Sequence, residues 1–125
     1  MKSNKGFTLI ELLAVIVILA IIALIATPLT INVINDAKAK ADENSAHGVM
    51  DGARLYYAEQ MLDDSPVLTG VTVADLVLSG EAPENAGTVD VTFEEDGTIS
   101  IGEMTFKNGG CHKFVNSKIA ACDAE

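Results

Sequence analysis

The chain has 125 residues, a formal net charge of -10 and 49% hydrophobic residues. That length holds one domain, and the acidic balance excludes a broad nucleic-acid-binding face, which needs clustered Lys and Arg to displace counterions from phosphate. Two Cys and two His do not fill the usual structural zinc pattern, and 5% aromatics with no Trp supply few stacking platforms.

Met1-Lys2-Ser3-Asn4-Lys5-Gly6 is polar, with Lys2 and Lys5 as its only charges. From Phe7 to Ala26 only Thr8 and Glu11 are polar. A run of about 20 residues makes about 30 Å of helix, enough to cross a bilayer core. The lysines ahead of it predict a cytoplasmic N-terminus with the remainder translocated. A secretory signal peptide would have a shorter apolar core and a small-residue cleavage site, of which Ala26-Thr27-Pro28 is a poor version. A plain signal anchor would not need Glu11, because a charge in an apolar span costs about 2.5 to 3.5 kcal/mol and usually marks function; the plain alternative is a Glu11 near the membrane end that reaches the headgroups. Phe7 lies four residues before Glu11, on the same helical face. A cut after Gly6 would give Phe7 a free amine, and an amine and a carboxylate attract strongly at low dielectric. The amine of a neighbouring subunit would serve equally, making Glu11 an assembly determinant.

Lys5-Gly6-Phe7-Thr8-Leu9-Ile10-Glu11-Leu12 resembles the processing and assembly motif of type IV pilins and pseudopilins, prepilins with a class III leader. The resemblance is close from Met1 to about Ala41 and holds only in outline beyond. It implies that a prepilin peptidase cuts the Gly6–Phe7 bond and methylates the Phe7 amine, and that Glu11 neutralises the amine of an adjacent subunit. It implies storage in the cell membrane, then extraction by an assembly ATPase and platform machinery into a helical, extracellular homo-oligomer. The implied fold class is α+β, the type IV pilin fold: a long N-terminal helix packed on a small antiparallel sheet. The corresponding division is a removed leader over 1–6, a long helix over 7–62 and a globular region over 63–125.

Pro28 follows the apolar run, where it either ends the helix or kinks it; a kink is favoured because helical patterning resumes. Similar pilins carry a proline at the matching place, where the helix bends or melts on packing. Thr27 and Thr30 offer hydroxyls to nearby carbonyls. From Ile31 to about Met61 the pattern becomes amphipathic. Asp36–Lys40 and Lys38–Asp42 are spaced to pair on a solvated surface. Ala46, Val49, Met50, Ala53, Tyr56 and Tyr57 form the stripe expected to bury against a sheet. Gly48 and Gly52 read as close approach of the protein's own sheet, with packing between neighbouring helices as the alternative.

Asp63-Asp64-Ser65-Pro66 ends the helix. Thr72 to Gly80 reads as a short helix capped by Thr72, with Asp75 in a capping box. Glu81 to Gly87 is a loop. Val89, Val91 and Phe93 alternate as in a half-buried strand, Asp96-Gly97 signals a hairpin, and Thr98 to Phe106 offers a second strand. Asn108-Gly109-Gly110 is a turn, and Lys113 to Val115 can begin a third strand, so about three strands are expected. Cys111 and Cys122 are expected to form a disulfide closing ten intervening residues, stabilising by about 2 to 3 kcal/mol. A metal site at Cys111-His112 is disfavoured, Glu94-Glu95-Asp96 lacks calcium-ligand spacing, and no catalytic constellation or cofactor motif appears. The chain therefore reads as a non-enzymatic pilus subunit for motility, adhesion or surface attachment. Its alternative is a pseudopilin of a DNA-uptake or type II secretion machine. A membrane-anchored binding module that never polymerises is the other class, marked by a retained leader.

Overall fold

A computed structural model describes residues 5–122; Met1 to Asn4 of the leader lie outside the described residues. The described residues form one long helix and a five-stranded antiparallel sheet, and the chain divides into two units, Met1–Ala37 and Lys38–Glu125. Helix α1 spans Leu9–Gln60, and Lys5 to Thr8 ahead of it are non-helical. Pro28 lies inside this helix without ending it. Its missing N–H deprives the Leu24 carbonyl of its usual donor. Nearby hydroxyls bond other carbonyls of the same stretch: Thr27 Oγ1 donates to Ala23 O at 2.6 Å and Thr30 Oγ1 to Thr27 O at 2.9 Å. The apolar part of α1 is long enough to cross a membrane, and its side chains are almost all exposed.

In the second unit the strands are β1 Val71–Thr72, β2 Asp90–Phe93, β3 Ile99–Thr105, β4 Cys111–Val115 and β5 Lys118–Ala121. They pair in chain order, all antiparallel. Alternation puts Ile99 and Ile101 of β3 on one face, and a register shift between Ile101 and Met104 returns Met104 to it; these three, Val91 and Phe114 are buried with Ala46, Val49, Met50 and Ala53 of α1. Tyr56 and Tyr57 are half-buried, each stacked on Phe93 with centroids 5.8 Å apart.

Two of the five strands were not expected from sequence. β1 is only two residues long, too short for alternation to register. β5 is reached through Asn116 and Ser117, both at positive φ (51° and 63°). That is the backbone of a two-residue hairpin turn, a conformation that Asn at its first position favours. The short helix expected over Thr72 to Gly80 is a single 3-10 turn, Val73–Asp75, after which Leu76 is extended. Thr72 pairs with Asp90, the Val73 N–H donates to Val89 O, and the chain turns extended at Leu76, which lays Val77 and Leu78 against Gly52 of α1 where a longer helix would not. The Thr72–Asp75 contact does form: the Thr72 N–H and hydroxyl donate to the Asp75 carboxylate at 2.8 and 2.9 Å. The backbone bond first, and then the hydroxyl, hold Asp75 below its ordinary value. The stabilisation from this contact is present above the unfolded-state pKa and is lost as pH falls through the folded one.

Gly48 and Gly52 meet the segment after that turn rather than the sheet. A Cβ on Gly52 would lie 2.8 Å from Val77 O and 3.1 Å from Leu78 Cδ2, whereas one on Gly48 would find Ser79 Oγ at an ordinary 3.7 Å. Gly52→Ala is therefore expected to cost about 1 to 3 kcal/mol through overpacking against backbone. Gly48→Ala is expected to be neutral or to stabilise by up to about 1 kcal/mol through helix propensity. Denaturant midpoints of the two variants in detergent check this opposite sign.

Candidate functional site: the N-terminal segment and the Asp42 lock

Thr8-Leu9-Ile10-Glu11 forms a reciprocal cap at the start of α1. The Thr8 N–H donates to Glu11 Oε2 at 3.0 Å, and the Glu11 N–H donates to Thr8 Oγ1 at 3.3 Å. A Thr followed three residues later by Glu, just ahead of an apolar run, is the capping-box signature, and it was readable in the sequence. The cap leaves Gly6 and Phe7 outside the helix, both exposed. Glu11 is thus the acid in the first turn of α1, where the helix dipole also favours negative charge. One carboxylate oxygen serves the cap, and the group remains exposed to a further partner.

The second constellation concerns Asp42, which the sequence placed on a solvated face beside Lys38. The structure corrects this. Asp42 is 4% exposed, the buried carboxylate of α1. Its Oδ1 accepts from Asn108 Nδ2 and its Oδ2 from the Gly110 N–H, both at 2.9 Å. Gly110 must be glycine here, since a Cβ would sit 2.7 Å from Asp42 Oδ2. The turn is closed by Phe106 N–H to Gly110 O and Gly109 N–H to Phe106 O, each 2.9 Å, with Gly109 at φ 87°. The Asp36–Lys40 pair does not form either: among the described residues the ion pairs are Arg54–Asp51 at 3.4 Å and Lys113–Glu103 at 3.7 Å.

Cys111, next after the lock, is joined to Cys122 by a disulfide with Cα atoms 5.5 Å apart, stapling the β4–β5 hairpin. Glu103 lies close to both sulfurs, but metals bind the thiolate, and these sulfurs are bonded to each other. His112 faces Phe106 and His47 meets Phe114 edge-on, so the two imidazoles are engaged with separate rings. Glu94, Glu95 and Asp96 line an open depression with Thr98 and Asn116. There the Thr98 N–H donates to Asp96 Oδ1 at 2.9 Å, and bonding to Thr98 holds Asp96 below its ordinary value.

Comparison with curated proteins and with solved structures found no significant match. Among family models, the prokaryotic N-terminal methylation motif matches residues 1–27, the segment holding the leader, the Thr8–Glu11 cap and the whole apolar run from Phe7 to Ala26. The long helix α1 followed by an antiparallel sheet is an α+β arrangement that matches the type IV pilin fold. The apolar helix behind that leader fits membrane anchoring before assembly. Residues 1–27 therefore carry a prokaryotic N-terminal methylation motif, consistent with a type IV pilin-like prepilin.

Proposed function

We propose that the chain is a structural subunit of a type IV pilus, held in the membrane by α1 and polymerised into an extracellular filament. The observation carrying this reading is the methylation motif on residues 1–27, at the head of an exposed apolar helix. A prepilin peptidase removes Met1 to Gly6 and methylates the Phe7 amine. This removes two of eight basic residues, leaving six against eighteen acidic ones and a side-chain charge of -12. Glu11 then neutralises the amine of a neighbouring subunit, offsetting the cost of carrying a charge in an apolar span. The side chains from Leu9 to Ile34 exchange lipid for the helices of other subunits, and Pro28 lets α1 bend as it packs. An assembly ATPase and its platform supply the work, and the filament serves motility, adhesion or surface attachment. No step in this reading is catalysed by the chain.

Shearing whole cells and quantifying the chain in the released filaments tests this reading against its alternative. A pilus subunit dominates the sheared fraction, and its deletion removes the fibres. A pseudopilin of a DNA-uptake or secretion machine stays with the cell envelope, and its deletion abolishes transformation or secretion instead.

A further inference from the structure

Asn108-Gly109 is the dipeptide most open to succinimide chemistry, because glycine has no Cβ to hinder attack on the preceding side chain. Here that dipeptide sits in the turn held by the buried carboxylate of Asp42. We propose that Asn108 is a deamidation site restrained by Asp42, and that its conversion opens the turn from Phe106 to Gly110 irreversibly.

The reaction is balanced by water alone. The Gly109 amide nitrogen, having given its proton to solvent, bonds to Asn108 Cγ. The bond from Cγ to the side-chain nitrogen breaks, and that nitrogen leaves as ammonia. Water then opens the ring at either carbonyl, giving aspartate or isoaspartate at position 108. Three contacts in the folded turn oppose the first step. The attacking Gly109 N–H is already donated to Phe106 O at 2.9 Å. The leaving nitrogen is held by Asp42 Oδ1 at 2.9 Å, and swinging the side chain toward Gly109 breaks that bond. Gly110, on the other side, is fixed by Asp42 Oδ2 at 2.9 Å. The reaction therefore proceeds from an opened turn, and its rate follows the population of that opening.

The product does not close again. An aspartate at 108 lacks the donor that met Asp42 and places a second negative charge at hydrogen-bond distance from a buried carboxylate, where like charges disfavour each other. The isoaspartate form also lengthens the backbone in a turn whose Gly110 has no space for a Cβ against Asp42. A subunit kept for long outside the cell would thus record its age in this turn, next to Cys111 and the β4–β5 staple.

The test uses the full chain in detergent micelles, incubated at mildly alkaline pH, with peptide mass spectrometry reading the converted fraction at Asn108. The folded chain is expected to convert at least about tenfold more slowly than the same chain reduced and unfolded, since opening must break charge-assisted hydrogen bonds. A folded Asp42→Ala chain is expected to convert about tenfold faster than the native one. An Asn108→Asp chain is expected to lose hydrogen-exchange protection at the Gly110 amide. Equal conversion rates in the folded and unfolded native chain would overturn the proposal. So would an Asn108→Asp chain that keeps native protection at Gly110. These two comparisons decide the matter even where Asp42→Ala does not fold.

Discussion

A Glu11→Gln chain is expected to insert in the membrane, lose its leader and fail to enter filaments. Glutamine serves at the last position of a capping box, so the cap with Thr8 survives and α1 still starts at Leu9. What disappears is the charge. An amine and a carboxylate about 4 Å apart at an effective dielectric of about 20 attract by about 4 kcal/mol. Losing that at every subunit contact corresponds to roughly a thousandfold in each association equilibrium. Surface filament by immunoblot of the sheared fraction should fall below a hundredth of the native level, an order-of-magnitude expectation from that same pairing energy. Glu11→Ala removes the cap as well, at about 1 kcal/mol more. Filaments from Glu11→Gln at native yield, with loss only in Glu11→Ala, would assign Glu11 to capping the helix instead of pairing with an amine.

The second large effect belongs to Asp42. Asp42→Ala is expected to destabilise the unit from Lys38 onward by about 2 to 3 kcal/mol, since it removes two hydrogen bonds to a charged acceptor. The Gly110 N–H is left half-buried without its acceptor, and a cavity replaces the carboxylate. Asn108→Ala should cost less, because Asn108 is exposed and Gly110 still holds Asp42. Urea midpoints in detergent, with unchanged slope, measure both. An Asp42→Ala midpoint equal to the native one would contradict the lock, and would fit the surface ion pair with Lys38 that spacing alone suggests.

That contrast shows where the fold was legible in the residues and where it was not. Alternation placed β2 and β3 with their buried faces, and period-3.6 spacing placed Ala46, Val49, Met50 and Ala53 in the core. A hairpin forms at Asp96-Gly97 as the dipeptide signals, but through a longer loop in which Gly97 alone is at positive φ (85°), closed by Glu94 N–H to Thr98 O and Gly97 N–H to Glu94 O. Both signals are local. Asp42 was not legible, because its partners lie 66 and 68 residues away and a lysine four residues back offered a local explanation. At Thr72 to Gly80 the cap signal is real but local, and packing of Val77 and Leu78 against Gly52, more than twenty residues away, ends the helix after one turn. The Thr8–Glu11 cap, by contrast, is local and is legible as Thr-x-x-Glu directly ahead of an apolar run.

The proposed function requires the chain to be cut between Gly6 and Phe7. Intact-mass and N-terminal peptide measurement of the chain from sheared filaments or membranes tests it most directly. The expected result is a mature chain that begins at Phe7, carries one added methyl on its amine and retains the Cys111–Cys122 bond. A chain that keeps Met1, or one cut near Ala26, would contradict it.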